Sequence, residues 1–293
     1  MSDFEAQFEI IRRQYIGSLG SKIDDACALW DDTLLRQTHD RFELFKMKVH
    51  SFVGSAATFG CEDISQFAHQ IEDLIDDAGD GSAITETTQL KISLLLEKMR
   101  SALAKILTNE THRMSAPDTA TPASPPETAL LQKNSTLYDL VKDRFVEQEE
   151  AATPAQKPLI LVVDDDEQIR MAVGSFLATK GFRVQTAVDG RDALNKIMKK
   201  LPDLVVTDYL MPQGAGHYLI SKLRNMPNTK SIPIIVLTGH RLKGGDDPHG
   251  LKRALVGEMH VNDFLMKPLN FETLYNSVKR CLQPSLDRLQ KHG

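Results

Sequence analysis

Between residues 4 and 110, apolar side chains return every three or four positions. Phe42, Phe45, Val49, Phe52, Ala56 and Phe59 form one such stripe. Ile64, Phe67, Ala68, Ile71, Leu74 and Ile75 form a second, and Ile92, Leu94, Leu95, Met99 and Leu103 a third. This is the period of an α-helix with one buried face. Strand-like alternation is almost absent, and glycines at Gly17, Gly60 and Gly79–Gly81 predict breaks between helices. Four or five amphipathic helices of this length bury their stripes most simply as an antiparallel, all-α four-helix bundle.

From Pro158 onward the pattern changes to short β-branched runs (LILVV, FRVQTA, DLVVTD, IPIIVL, DFLMKP) that alternate with helical stretches such as EQIRMAVGSFLATKG and FETLYNSVKRCL. Alternation of this kind predicts an α/β doubly wound fold, with a five-stranded parallel sheet covered on both faces. The carboxyl ends of its strands then share the edge where such sheets place their chemistry. Between the two regions lie SAPDTATPASPPET and AATPAQKP, too rich in Pro, Ala, Ser and Thr to build a core. The predicted organisation is therefore a bundle over 1–110, a linker over 111–157 and an α/β domain over 158–293. Leu137, Leu140, Val141 and Phe145 recur at helical spacing inside the linker and predict a short amphipathic helix at about 136–150.

Composition narrows the function. With 41% hydrophobic and 26% charged residues, the chain has apolar mass for two cores. Its longest apolar runs are too short to span a bilayer and its N-terminus is acidic, so neither membrane insertion nor secretion is expected, and a cytoplasmic setting is. Cys27, Cys61 and Cys281 are too scattered for a zinc site or a disulfide framework. The formal charge is −8 over 1–110, −2 over 111–157 and +5 over 158–293. No basic run suits a nucleic-acid partner, whereas the two halves can attract each other.

Candidate chemistry gathers at the strand ends of the second half. Asp164 and Asp165 follow LILVV, Asp208 follows DLVVT, Thr238 ends IPIIVLT and Lys267 follows DFLM. Parallel strands bring all five to one edge. Three carboxylates that converge there repel each other unless a hard divalent cation such as Mg²⁺ joins them. A carboxylate beside Mg²⁺ can attack phosphorus, while a hydroxyl and an ammonium neutralise the transferred oxygens. Asp166 reads as a helix cap. In the first half, His50 precedes a run of small residues, and Gly54 lies one turn later on the same face. This predicts an exposed, approachable imidazole.

With VVDDDEQIR, DLVVTDYLMP, IIVLTG and DFLMKP in order, residues 158–283 resemble a receiver domain of the two-component signalling family, which has a flavodoxin-like fold. The resemblance implies Asp208 as phosphoacceptor, with Asp164, Asp165, Asp208 and the Leu210 carbonyl as the Mg²⁺ site. It also implies Thr238 as switch hydroxyl, Lys267 as its cationic partner and Phe264 as the aromatic that follows the switch. The bundle resembles a histidine-phosphotransfer (HPt) domain, with Gly54 and Gly60 at +4 and +10 from the phosphohistidine His50. The usual lysine at +3 is Val53; Lys46, one turn earlier, offers a substitute charge. Glu72, 22 residues on, is placed to hold the imidazole, and His69 shares its helical face. Two departures from the receiver pattern stand out: Gln213–Gly216 should loosen the start of the third receiver helix, and extra residues at 241–250 separate Thr238 from Lys267.

The resemblance implies a phosphorelay intermediate, carrying phosphoryl groups on His50 and Asp208, without an autokinase or DNA-binding output domain. Its partners would be a sensor histidine kinase and other receiver or HPt proteins, with intramolecular docking also open. The alternatives are a phosphorylation-switched docking module and a phosphate sink, each leaving His50 unused.

Overall fold

The computed structural model describes residues 3–36, 38–77, 84–115, 157–212, 215–239, 257 and 259–290. Four helices come first: α1 (Asp3–Arg36), α2 (His39–Thr58), α3 (Glu62–Asp77) and α4 (Glu86–Ser115). An alternating unit follows: β1 (Leu159–Val163), α5 (Glu167–Thr179), β2 (Arg183–Ala187), α6 (Gly190–Lys199), β3 (Leu204–Asp208), α7 (Ala215–Asn225), β4 (Ile234–Thr238), β5 (Asp263–Met266) and α8 (Phe271–Gln290).

In the bundle most of the predicted stripe residues enter the core, but Leu94 is 57% exposed and Leu96 is buried in its place. Phe45, Phe52, Ile64, Ile71, Ile75 and Ile92 are fully buried, together with Tyr15, Leu19, Ile23 and Trp30 from α1. Trp30 packs on Phe45 with ring centroids 4.8 Å apart, and its indole N–H donates to Ser93 Oγ at 3.0 Å. The break at Gly60 is present: Gly60 has φ +74°, and the Cys61 N–H reaches back to the Ala56 carbonyl at 2.8 Å, closing the end of α2. The break at Gly17 is absent, because α1 runs through it without interruption. Tyr15, Ile16 and Leu19 on either side are buried, and their packing outweighs the roughly 1 kcal/mol that a mid-helix glycine costs. Helix α4 also continues to Ser115, past the expected end at 110. The expected linker helix at 136–150, the 241–250 segment and Gly79–Gly81 lie outside the described residues.

The sheet has strand order β2-β1-β3-β4-β5, all parallel. β1, β3 and β4 are buried at every position, as interior parallel strands covered on both faces must be. β2, at the edge, buries only part of its residues. The order reverses between β1 and β3, which opens a crevice at their carboxyl ends. Asp166 caps α5 by accepting from the Gln168 and Ile169 N–H groups, and Asp189 caps α6 in the same way.

The two units share a core. One hydrophobic cluster runs from the bundle into the α5 and α8 side of the sheet, while a second fills the opposite face around Leu161, Val205 and Ile234. Helix α1 lies against α5, and at its N-terminal end Phe4 packs on Phe176 (4.9 Å) and Phe271 (5.0 Å). Phe8 joins Phe271 to Phe59 at the end of α2, at 5.5 and 5.7 Å.

Replacing Phe45 with Ala should leave the fold intact but lower the bundle's stability by about 3–5 kcal/mol, the usual cost of a large cavity. Urea unfolding followed by the fluorescence of Trp30, the only tryptophan in the chain, would measure it.

Candidate functional site

Three strand ends build the acidic centre. Asp164 follows β1 and Asp208 ends β3, and oxygens of Asp164, Asp165 and Asp208 all lie within 4.8 Å of one another. Asp164 and Asp208 are buried, whereas Asp165 is exposed at the rim. Lys267, just past β5, donates its Nζ to Asp164 Oδ2 at 2.9 Å and to Asp208 Oδ2 at 2.6 Å. Burial pushes the Asp164 carboxyl well above its ordinary range, and the neighbouring Asp208 and Asp165 add to this while Lys267 opposes it. Asp165 is raised too, by desolvation and then by Asp208. Desolvation alone would lower the Lys267 ammonium, but Asp164 and Asp208 outweigh it and hold it above its usual value. Such a cluster of hard oxygen donors, short of positive charge, fits a divalent cation.

Thr238 is fully buried at the end of β4, its carbonyl accepting from the Lys267 N–H at 2.7 Å. Phe264 lies in β5 and packs against the second hydrophobic cluster. The Leu210 N–H donates to Asp208 Oδ1 at 3.0 Å. Gly216 comes so close to the Asp208 and Tyr209 carbonyls that any side chain would collide with them, which gives that glycine a packing role at the start of α7. Gln213 and Gly214, which were expected to loosen this helix, lie outside the described residues.

The second titratable centre comes from the bundle. His50 Nδ1 faces Glu72 Oε1 at 2.6 Å, so the carboxylate accepts from Nδ1–H and favours the tautomer of the neutral ring in which Nε2 carries the lone pair. Glu72 also meets His69 Nδ1, through Oε2 at 3.4 Å. Lys46 Nζ donates to Asp76 Oδ1 at 3.0 Å. His50 was expected to be exposed, yet it is only 8% accessible. The reason is tertiary: the α/β unit covers it. A Cβ on Gly239, the residue after Thr238, would stand 3.5 Å from His50 Nε2, and one on Gly54 would lie 2.5 Å from Lys267 Cδ. His50, Ser51, Gly54 and Ser55 line the same pocket as Asp164, Asp165, Asp208 and Lys267. The two candidate centres, far apart in sequence, face each other across one cavity.

Comparison with known proteins agrees with this division. A family model described as "Hpt domain" matches residues 11–106, and one described as "Response regulator receiver domain" matches residues 160–279. This chain belongs to the two-component signalling proteins. Its receiver half is similar to the phosphate regulon transcriptional regulatory protein PhoB of Rhizobium meliloti, 31% identical over 43% of this chain and 52% of the relative. It is also similar to the response regulator PleD of Caulobacter vibrioides, 36% identical over 41% of this chain and 25% of the relative. Among solved structures it resembles the chemotaxis response regulator CheY4 of Vibrio cholerae, 32% identical over 43% of this chain and 99% of that one, with a TM-score of 0.39. The chain spans about half the length of the first PhoB relative, or less in the case of PleD. Among the described residues, no helix is long and apolar enough to cross a membrane.

Several residues at the HPt–receiver contact were not singled out as contacts from sequence. Lys22 donates to Asp166 Oδ2 and Gln168 Oε1, both at 2.9 Å, so Asp166 is an interdomain partner as well as a helix cap. The Leu269 N–H donates to Thr58 Oγ1 at 3.1 Å across the interface. Only the α1 stripe of Phe4, Ile11, Tyr15 and Lys22 hinted at this, since four positions on one helical face ask for a partner.

Two substitutions test this geometry. Gly54→Ala should raise the helical stability of the bundle by up to about 1 kcal/mol, because Ala favours helix. It should also push Lys267 away and expose the Leu269 amide, so hydrogen exchange at Leu269 should accelerate at least tenfold while the bundle melts no earlier. Lys267→Met leaves Asp164 buried without its partner and should cost about 3–5 kcal/mol at pH 8. Because burial holds the Asp164 proton more tightly in the folded state, the variant's stability falls as pH rises above the unfolded carboxylate value. Urea unfolding should therefore show a smaller deficit at pH 5 than at pH 8.

Proposed function

We propose that the protein is a phosphorelay intermediate that carries phosphoryl groups on Asp208 and His50 and passes them between the two. The observation that carries this reading is the shared pocket: the imidazole, the acidic triad and the Lys267 ammonium line one cavity. The proposed division is the HPt bundle over 1–110, the linker over 111–157, into which α4 extends as far as Ser115, and the receiver over 158–293. In the forward direction the Nε2 lone pair of His50 attacks the phosphorus of the Asp208 acyl phosphate. An N–P bond forms, the P–O bond to Asp208 breaks, and Asp208 departs as a carboxylate. The ring keeps its Nδ1 proton and becomes cationic, and Glu72 at 2.6 Å balances that charge. The reverse sequence loads Asp208 from His50.

Lys267 neutralises phosphoryl oxygens and then the released carboxylate, and Thr238 with Phe264 would register the receiver's phosphorylated state. Asp164, Asp165 and Asp208, with the Leu210 carbonyl, would hold Mg²⁺, which when bound offsets charge on the phosphoryl oxygens. Val53 leaves the HPt motif without its +3 lysine, and Lys267, lying on Gly54, is the cation that lines the His50 pocket among the described residues. The partners that supply or remove phosphoryl groups would be a histidine kinase and other receiver or HPt proteins.

Labelling with a small acyl-phosphate donor and Mg²⁺ tests the reading, since phosphohistidine survives alkali and acyl phosphate does not. Wild type should accumulate alkali-stable label, His50→Gln should hold only alkali-labile label, and Asp208→Asn should hold neither. Glu72→Ala should slow the appearance of alkali-stable label about tenfold or more. Alkali-labile label that is indifferent to His50→Gln would leave a receiver whose histidine is unused.

A further inference from the structure

We propose that the first two turns of α1, together with Lys22 further along the same helix face, form a strap that holds this chain's own receiver on its own HPt bundle. The strap competes with other histidine donors for the α5 face of the receiver, so that they gain access only when it releases, and it makes exchange between Asp208 and His50 in the docked state an event within one chain. The proposal rests on the phosphorelay reading for its transfer step, and on geometry alone for the docking.

Phe4 and Phe8 lie ahead of residue 11, where the match to the Hpt family begins, on the same unbroken helix α1. At 100° per residue, Phe4, Ile11, Tyr15 and Lys22 fall within about 20° of one line along α1, and Phe8 lies about 40° to its side. The stripe from Phe4 to Lys22 is about 27 Å long at 1.5 Å per residue. Both of its ends engage the receiver. At the N-terminal end, Phe4 packs on Phe176 of α5 and Phe271 of α8, and Phe8 bridges Phe271 to Phe59 of the bundle. The contacts to Phe176 and Phe271 are edge-to-face and the one to Phe59 is stacked, and ring packing of both kinds supplies area and orientation together.

At the other end, the Lys22 ammonium lies 4.7 Å from the Tyr15 ring centroid and bonds both Asp166 and Gln168. Asp166 directly follows Asp164 and Asp165, so this ion pair fixes α1 at the metal-binding edge of the sheet. The sign of the pair is informative. The HPt half is acidic and the receiver half basic, so long-range attraction would bring the domains together in many orientations. A lysine from the acidic half held by an aspartate of the basic half selects one register among them. That register is the one that buries His50 and lines a single pocket with His50 and Asp208.

The test uses the full chain and two kinds of readout. Docking is read at the Leu269 amide, whose exchange does not depend on phosphoryl chemistry. Transfer is read as alkali-stable label in wild type and in an equimolar mixture of His50→Gln with Asp208→Asn, where phosphoryl groups can pass only between chains. In wild type, transfer should be unchanged by tenfold dilution, and the mixture should be at least tenfold slower. Phe4→Ala with Phe8→Ala, and separately Lys22→Glu, should accelerate Leu269 exchange at least tenfold at unchanged helical content. Introduced into both mixture partners, either change should raise transfer between chains toward the rate within one chain. Unchanged Leu269 exchange in both variants, or a mixture as fast as wild type, would overturn the strap. Loss of all alkali-stable label with normal Leu269 protection would overturn the relay reading instead.

Discussion

The ammonium of Lys267 sits between two buried carboxylates, with its hydrocarbon stem over a glycine of the other domain. Three requirements meet at this side chain. Asp164 and Asp208 tolerate burial because a cation lies within hydrogen-bonding distance of both. The strand ends of the receiver are held in register by the same pair of bonds. The HPt helix can approach only because position 54 lacks a side chain, so the electrostatics of one domain and the backbone of the other are tied to one contact.

The two domains meet His50 and Asp208 in different ways. Glu72 orients the imidazole from within the bundle and fixes which nitrogen keeps its lone pair. The receiver then brings the Lys267 ammonium and its strand ends to the pocket and covers the imidazole. A histidine that is 8% accessible is approached from the facing cavity rather than from the general surface. Burial of Asp164, Asp208 and His50 in that cavity strengthens the charge interactions between them.

Continuity of the hydrophobic core across the domains gives the docked state its stability. The aromatic group of Phe4, Phe8, Phe59, Phe176 and Phe271 draws on α1, α2, α5 and α8, so no single helix owns it. Polar contacts such as Lys22 with Asp166 and Leu269 with Thr58 add orientation to an attachment that apolar burial provides. Non-directional burial and directional hydrogen bonds therefore divide the tasks of affinity and register.

Much of this was legible in the chain itself. The three-and-four spacing of Phe45, Phe52, Ile64 and Ile71 determined a bundle, and the runs LILVV, LVVTD and IIVLT determined buried parallel strands, because burial pattern is written into local periodicity. Asp164, Asp165, Asp208, Thr238 and Lys267 could be assigned to one edge, since parallel strands align their carboxyl ends. The pairing of His50 with Glu72 was open to motif spacing. The continuation of α1 through Gly17, the engagement of Lys46 by Asp76 and the burial of His50 were decided by tertiary structure alone. Each depends on what packs against a residue from a distant part of the chain. Local pattern says that a face is apolar, small or charged, but only the folded arrangement says which surface it meets.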